Sequence, residues 1–295
     1  MRIAVTGTQG QIVSSLRERA AEKAEIVALG RPLLDLANRA SVRAALLDAR
    51  CDAIVNAAAY TAVDKAEQEE ELAMRVNGEG AGHIAEAAAE LGVPLIHFST
   101  DYVFDGFAAR PYREDDPTAP LGAYGRSKLE GERRVAALCP NAAILRTAWV
   151  YSPFGANFVR TMLRLGETRE EVGVVADQLG NPTSALDIAD ATLLLAARLV
   201  RDGAPELRGV FHMTGAGEAS WADVAEAIFA RAAERGRRAV RVRRIATEDY
   251  PTPARRPANS RLDNAKLSQI YGVALPEWRS SLGNCVDRLL AGSAH

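Results

Sequence analysis

Short apolar runs recur along the first half of the chain, and a longer, alanine-rich amphipathic segment separates each run from the next. Short runs that do not alternate with polar residues are typical of strands in a parallel sheet, because helices cover both faces of such a sheet. The pattern therefore predicts an α/β fold with a doubly wound parallel sheet that binds ligands at the carboxyl ends of its strands. The predicted strands are Ile3–Val5, Ile26–Leu29, Ala53–Val55, Leu95–Phe98 and Ala143–Leu145.

The pattern loosens after about residue 150, where prolines become frequent and a basic stretch runs from Arg231 to Arg244. We predict a second, smaller C-terminal α/β lobe in this part of the chain. The segment Thr183–Val200 still has the apolar stripe of a long helix, and Gly209–Met213 is typical of a strand, so the chain is expected to return to the first domain. The predicted boundaries are 1–150, rejoined by about 183–213, for the first domain, and 151–182 with 214–295 for the second lobe.

Composition excludes several classes of protein. The chain has 295 residues, of which 48% are hydrophobic and 25% charged, and its net charge is −2, so no global field recruits nucleic acid or an anionic membrane. The three cysteines, Cys51, Cys139 and Cys285, are far apart and lack metal-type spacing, which predicts neither a disulfide framework nor a metal site. The sequence shows no secretory segment and no run of ~20 apolar residues, and we therefore expect a cytoplasmic protein.

A glycine-rich turn follows the first predicted strand and opens a helix. Gly7 and Gly10 allow the backbone to approach a pyrophosphate at the positive end of that helix, which predicts a Rossmann-like dinucleotide site. Val13 stands where a third glycine would complete the pattern. An ordinary strand-to-helix turn is the alternative.

Residues after the second and third strands are candidates for further contacts with a dinucleotide. Arg31 replaces the acid that an NAD-preferring site places there, and its guanidinium suits a 2′-phosphate; this favours NADPH, with NADH or a merely solvated Arg31 as alternatives. Asp35 and Leu36 are candidates for an adenine pocket. The small residues from Asn56 to Asp64 allow close approach to a ribose or nicotinamide.

The strongest chemical signal is Tyr124 followed by Lys128, because positions i and i+4 lie on one helical face. A phenol with a pKa of ~10 works well near neutrality when that pKa falls by two to three units, and an ammonium at ~4 Å supplies about 4 kcal/mol at an effective dielectric of ~20. We therefore predict that Lys128 lowers the pKa of Tyr124 for proton transfer to a carbonyl oxygen. A surface Tyr–Lys contact is the alternative.

Two hydroxyls, those of Ser99 and Thr100, end the fourth predicted strand. Either could donate a hydrogen bond to a substrate carbonyl at the carboxyl edge of the sheet, and strand-end capping would explain them equally well. Spacing alone does not decide which hydroxyl faces the site.

These motifs together resemble the extended short-chain dehydrogenase/reductases, and among them the dTDP-4-dehydrorhamnose reductase family, over nearly the whole chain. The later blocks are more specific to that family than the glycine-rich turn. The resemblance rests on Gly7–Gln11, Val55–Glu67, Ser99–Phe104, Tyr124–Lys128, Leu145–Tyr151, Asn157–Val159, Asp177–Thr183 and Tyr250–Ser260.

The resemblance implies a role for individual residues. The first domain would bind the dinucleotide and the second lobe the substrate. Cofactor contacts are implied for Gly10, Gln11, Ile12, Asp35, Leu36, Ala59, Tyr60, Thr61, Tyr124 and Lys128. Thr100, Asp101 and Trp149 would contact the deoxysugar, while Arg255, Arg256 and Asn259 would bind the nucleotide diphosphate, which suits guanidinium groups.

The implied reaction is hydride transfer from NADPH to C4 of dTDP-4-dehydro-L-rhamnose, with Tyr124 as proton donor and Thr100 and Lys128 as its catalytic partners, yielding dTDP-L-rhamnose. Some relatives bind magnesium at a dimer interface, so a homodimer is expected. No carboxylate cluster in the sequence supports a magnesium site.

Two other classes share these features. A nucleotide-sugar epimerase or dehydratase has the glycine-rich turn and the Tyr/Lys pair, but a dehydratase needs an added acid/base pair, and Tyr102 follows Thr100-Asp101 where a glutamate would stand. A non-catalytic, nicotinamide-binding regulatory subunit could lose Tyr124 or Lys128 without penalty. Both residues are present, which favours the reductase.

Overall fold

The computed structural model describes residues 1–292. Its strands are β1 (Arg2–Thr6), β2 (Glu25–Leu29), β3 (Ala53–Asn56), β4 (Leu95–Thr100), β5 (Ala142–Thr147), β6 (Val150–Tyr151), β7 (Glu171–Val175), β8 (Leu179–Gly180), β9 (Thr183–Ser184), β10 (Gly209–His212), β11 (Ala219–Ser220) and β12 (Arg241–Ile245). Its α-helices are α1 (Gln11–Ala20), α2 (Arg39–Ala49), α3 (Val63–Ala66), α4 (Glu70–Ala73), α5 (Gly80–Leu91), α6 (Ala123–Leu138), α7 (Phe158–Gly166), α8 (Ala185–Arg201), α9 (Trp221–Glu234), α10 (Ala265–Tyr271) and α11 (Trp278–Ala291). A π-helical turn, Met74–Glu79, leads into α5.

Six strands form one parallel sheet in the order β10-β5-β4-β3-β1-β2. All five strands predicted from the apolar runs are confirmed, and each becomes longer by one to three residues. The chain direction across the sheet reverses between β1 and β3, and open α/β sheets bind ligands at such a switch point, outside the carboxyl ends of the strands.

Helices cover both faces of this sheet, as the doubly wound prediction requires. The apolar stripes of α1 and α8 pack on one face around Leu16 and Ile188, while α2, α5 and α6 pack on the other around Leu46, Ile84 and Val135. The predicted helix at 183–200 is confirmed as α8, and the predicted strand at 209–213 is confirmed as β10, which pairs with β5 in the main sheet.

A smaller α/β lobe packs around a core of its own, formed by α7, α9, α11 and the parallel pair β7 and β12. Its remaining strands are two residues long, and they pair as β8 with β11 and β6 with β9. The helix α10 and the following Leu275 instead join the core of the main sheet, although the predicted boundary of 214–295 assigns them to the second lobe.

Residues 1–292 contain neither a membrane-spanning helix nor a cluster of metal-binding side chains. None of the described helices is long and apolar enough to cross a membrane. The described residues contain no group of three or more His, Cys, Asp or Glu side chains arranged to hold a metal ion. The three cysteines are buried and free.

Candidate active site

The helix α6 places Tyr124 and Lys128 over the carboxyl ends of the sheet. Lys128 is 4% exposed, and its Nζ donates a hydrogen bond of 2.6 Å to the backbone carbonyl of Phe98 in β4. Gly125 allows the first turn of α6 to lie this close, because a Cβ at that position would stand 2.2 Å from the carbonyl oxygen of Tyr102. The predicted pair is therefore brought to one helical face against the end of β4.

The acidity of Tyr124 differs from the prediction. Burial raises the pKa of Tyr124 above its usual range, the negative charge of Asp101 raises it further, and a hydrogen bond with the Thr100 side chain acts in the opposite direction. The prediction that Lys128 lowers the pKa of Tyr124 is wrong for this structure, because the Lys128 ammonium is directed to the Phe98 carbonyl. Burial also lowers the pKa of Lys128 itself to about 8.

Polar groups without protein partners collect where β4 and β5 end. Thr100 Oγ1 donates a hydrogen bond of 2.9 Å to Asp101 Oδ1, and burial raises the pKa of Asp101 to about 6. The buried atoms Ser99 Oγ and Thr147 Oγ1 have no hydrogen-bond partner within the described chain, and the Ser260 side chain interacts with the Asp101 carboxylate and lowers its pKa against the effect of burial. Buried polar atoms are normally paired, so this cluster is suited to a polar ligand. Of the two candidate hydroxyls, that of Thr100 is the one that interacts with Tyr124 and lowers its pKa against the effect of burial.

The glycine-rich turn forms an open helix N-terminus at the same edge. Gly7 has a φ of 96°, a conformation that favours glycine, and Gly10 precedes α1 without a side-chain cap. A Cβ on Gly10 would meet nothing within 4 Å, so the free N–H groups of the first turn, including that of Ile12, are accessible to an anion. Val13, at the third position of the pattern, is 1% exposed and packs in the core.

The side chain of Gln11 is used within the protein. Its Nε2 donates to the carbonyl of Val150 over 3.3 Å, and its Oε1 accepts from Ser152 Oγ over 2.9 Å and from Asn157 Nδ2 over 3.1 Å. These bonds tie the start of α1 to the segment that opens the second lobe. Its backbone N–H is therefore the group that remains for a cofactor.

The candidates that follow β2 lie at the same end of the sheet. Arg31 is exposed, Leu36 is buried, and the Asp35 carboxylate accepts a hydrogen bond of 3.0 Å from the Ala37 N–H. Gly80 allows the approach of this loop, because a Cβ there would stand 2.8 Å from Leu36 Cβ.

The turn after β3 carries Ala59, Tyr60 and Thr61. The Tyr60 hydroxyl donates a hydrogen bond of 2.6 Å to Glu69, and that bond raises the pKa of Tyr60 to about 12. Its N–H donates to Asn77 Oδ1 over 2.8 Å. The structure thus brings the predicted cofactor residues to one edge of the sheet, beside Tyr124, which packs in the same small cluster as Tyr60.

Trp149 lies in an aromatic stack that the sequence did not predict. Its ring is parallel to that of Trp221, with centroids 3.7 Å apart, and its φ of 49° is unusual for a bulky residue. Gly180 makes room for it, because a Cβ there would stand 2.4 Å from Trp149 Cε2. The backbone of Trp149 is therefore held in a strained conformation just beyond β5, with Trp221 behind its ring.

The predicted diphosphate residues separate into two environments. Arg256 donates a hydrogen bond of 2.7 Å to Asp64 and lies 3.3 Å from the Tyr102 hydroxyl, and the Tyr102 ring contacts the Tyr124 ring edge-on at 5.5 Å. Arg256 is thereby connected through Tyr102 to the Tyr124–Lys128 pair.

Arg255 and Asn259 lie further from that pair. Arg255 is exposed, and its guanidinium lies over the ring of Phe107. Asn259 is 6% exposed, and its amide donates to the carbonyls of Ala108 and Arg110 over 2.7 and 2.8 Å. The Asn259 amide therefore holds the loop at Ala108–Arg110 in place. Of the three predicted diphosphate residues, Arg255 and Arg256 are the two that carry a charge for a ligand.

Sequence reasoning missed three residues of this site: Asp64, Tyr102 and Trp221. Asp64 and Tyr102 lie inside sequence blocks that resemble the reductase family, which is the only signal that could have identified them. Trp221 lies outside those blocks, at the start of α9.

Comparison with known proteins identifies the family. A family model described as "RmlD substrate binding domain" matches residues 1–291. The chain is 53% identical over 290 residues to a dTDP-4-dehydrorhamnose reductase of Sinorhizobium fredii, and the match covers 98% of each protein.

Solved structures agree over the same length. A dTDP-4-dehydrorhamnose reductase from Clostridium acetobutylicum superposes with a TM-score of 0.91 at 38% identity and covers 98% of this chain and 100% of its own. One from Bacillus anthracis, in complex with NADP, has a TM-score of 0.88 at 35% identity and covers 97% and 99%. Because both sequence and structure match from end to end, the chain belongs to the dTDP-4-dehydrorhamnose reductase family of NAD(P)H-dependent oxidoreductases.

Proposed function

We propose that the protein reduces the C4 keto group of dTDP-4-dehydro-L-rhamnose with NADPH, giving dTDP-L-rhamnose, and that Tyr124 donates the proton. One observation carries the proposal: the partly buried Tyr124, whose pKa is raised and which interacts with Thr100, stands beside the unpartnered hydroxyls of Ser99 and Thr147 at the carboxyl edge of the sheet. The carbonyl oxygen of a sugar would supply the acceptor that this group of atoms lacks.

The residues that follow β1 and β2 fit a dinucleotide. The uncapped start of α1 and the open Gly10 suit a pyrophosphate, and the exposed Arg31 suits a 2′-phosphate. The B. anthracis relative was solved with NADP, which supports the same cofactor here. When bound, NADPH supplies the hydride.

The protein's own residues supply the proton and hold the substrate. Since burial raises the pKa of Tyr124, its hydroxyl is protonated at neutral pH and ready to donate as negative charge develops on the carbonyl oxygen. Thr100 orients that hydroxyl, and Arg256, aligned by Asp64, neutralises the diphosphate. The Lys128 ammonium, held by the Phe98 carbonyl, adds positive charge near the carbonyl oxygen that receives the proton.

The direct test is to incubate the protein with dTDP-4-dehydro-L-rhamnose and NADPH, follow the loss of reduced cofactor, and identify the product by NMR. We expect stoichiometric formation of dTDP-L-rhamnose. An epimerised sugar without net loss of NADPH would instead assign the site to an epimerase. Cofactor binding without any turnover would assign the chain to a regulatory subunit.

Arg31→Ala should raise the KM for NADPH by roughly tenfold and change the KM for NADH little, because a hydrogen-bonded charge pair contributes about 1.5–3 kcal/mol. Arg43→Ala is the matched control, since Arg43 is an exposed arginine on α2 that pairs with Glu90 on α5. Steady-state kinetics with both cofactors measure the effect. Equal changes for NADPH and NADH would contradict a role for Arg31 in binding the 2′-phosphate.

Trp149→Phe should lower kcat/KM for the nucleotide sugar by up to about tenfold, since aromatic packing contributes about 0.5–1.5 kcal/mol beyond burial. The phenylalanine keeps a ring on Trp221 and so preserves the stack, while the contact surface for the sugar shrinks. The KM for NADPH serves as the internal control. An unchanged kcat/KM would show that Trp149 is only a core residue.

A further inference from the structure

A third residue on the catalytic face of α6 belongs to a buried ion pair. Glu132 follows Lys128 by four residues and Tyr124 by eight, so the three side chains lie along one face of the helix. Glu132 is 3% exposed and Arg146, on β5, is 4% exposed. Their two hydrogen bonds, of 2.9 Å from Nε and 2.7 Å from Nη2, form a bidentate pair.

Such a pair is expensive to bury, because two charges lose their hydration. Replacement by apolar residues is often neutral or stabilising, so stability alone does not explain why the fold keeps one next to its catalytic helix. The position of Arg146 offers a functional explanation: it immediately precedes Thr147 in β5, and its guanidinium lies 5.0 Å from the ring centre of Phe104. The pair thereby joins α6, the end of β5 and the loop that follows Asp101.

The charges that face Lys128 from its surroundings are few. His97 faces Lys128 from β4. Burial, and to a smaller extent the Lys128 charge, lowers the pKa of the His97 imidazole well below its usual range, so the imidazole is neutral. Tyr124, on the same helix, is protonated. The charge of Arg146, on β5, is paired with Glu132. Glu132 is the acid that raises the pKa of Lys128 against the effect of burial.

We propose that the Glu132–Arg146 pair is a positioning device for Lys128. Arg146 fixes the rotation of α6 against β5 through Glu132, and Glu132 supplies the negative charge that holds the Lys128 ammonium in a buried site. The pair acts through Lys128 and does not touch the substrate. This inference rests on the proposed function only in that Lys128 must be charged for turnover.

The test is Glu132→Gln, which keeps the shape and removes the charge. Without the Glu132 charge, the pKa of Lys128 should fall by about one unit. Lysine is fully charged well below its pKa, so kcat should stay close to wild type at pH 6. Above the pKa, a fall of one unit reduces the charged fraction of the lysine about tenfold, so kcat should be roughly tenfold lower at pH 9. Glu132→Asp keeps the charge and should restore the wild-type profile. Glu130→Gln is the matched control, since Glu130 lies on the same helix and its ion pair with Arg134 is partly exposed. An equal loss at every pH would show a merely structural role and overturn the proposal.

A second measurement does not depend on turnover. The chain contains four lysines, so the Lys128 ammonium can be titrated by NMR in lysine-labelled protein and assigned with Lys128→Met. Glu132→Gln should move that titration to lower pH, whatever the substrate, and an unchanged titration would overturn the proposal even in an active enzyme. If Glu132→Gln does not fold, the double variant Glu132→Met/Arg146→Met removes the unpaired charge as well and should show a smaller shift in the same direction. Absence of turnover in wild type, with the shift present, would contradict only the proposed function.

Discussion

Tyr124→Phe should lower kcat by roughly 10²–10⁴, the range for loss of a positioned general acid. The substitution removes one hydroxyl and leaves the ring, which packs edge-on against Tyr102, so the fold and the KM for NADPH should stay close to wild type. The raised pKa keeps this residue protonated across the neutral range, which is the state that the proposed donation requires. Single-turnover measurement of NADPH oxidation at saturating substrate reports the loss directly.

Tyr102→Phe is the matched control for that experiment. The Tyr102 hydroxyl contacts Arg256, so its removal should raise the KM for the nucleotide sugar and leave kcat nearly unchanged. Near-wild-type turnover by a folded, cofactor-binding Tyr124→Phe protein would exclude Tyr124 as the proton donor. It would also restore the regulatory-subunit interpretation as a serious alternative.

The main sheet was predictable because its central strands, β1, β3, β4 and β5, are buried on both faces. In Leu95–Thr100 every residue is buried, and Leu95, Ile96 and Phe98 form a short apolar run that does not alternate with polar residues and is visible in the sequence. The second lobe lacks that signal: β8 and β11 are two residues long, and they pair Leu179 with Ser220 across a long stretch of chain. Patterns of hydrophobicity do not encode pairings of this kind.

The placement of Tyr124 and Lys128 on one helical face was predictable for a local reason, since i and i+4 positions share a face whatever the rest of the fold does. The contact between Asp64 and Arg256 joins residues 192 positions apart, and no spacing rule reaches that far. The pKa of Tyr124 was predicted in the wrong direction for a related reason: helical spacing identified Lys128, but burial and the charge of Asp101 are tertiary properties.

Lys128→Met should reduce kcat at least as much as Tyr124→Phe and should also raise the KM for NADPH, because the family resemblance gives Lys128 a cofactor contact that Tyr124→Phe leaves in place. The structure adds an expectation about stability. Burial lowers the pKa of Lys128 from 10.5 to about 8, so the folded state binds fewer protons than the unfolded state between those pH values, and the stability of wild type should rise as pH increases through that window. Methionine fits the buried space without a charge, so the variant should have an equal or higher Tm at pH 7 and should lose this pH dependence.

The combined variant separates a shared role from two independent ones. If Tyr124 and Lys128 act as one unit, Tyr124→Phe/Lys128→Met should be little slower than the slower single variant, since a proton transfer already lost cannot be lost again. Losses that multiply would show that Lys128 contributes to hydride transfer or cofactor binding without acting through Tyr124. Lys266→Met is the matched control, because Lys266 also donates to a backbone carbonyl, that of Val210, but lies on α10 away from the site. A normal kcat for Lys128→Met, in protein shown to bind NADPH, would exclude a role for Lys128 in the mechanism. It would also exclude the positioning role proposed for Glu132, which acts through Lys128.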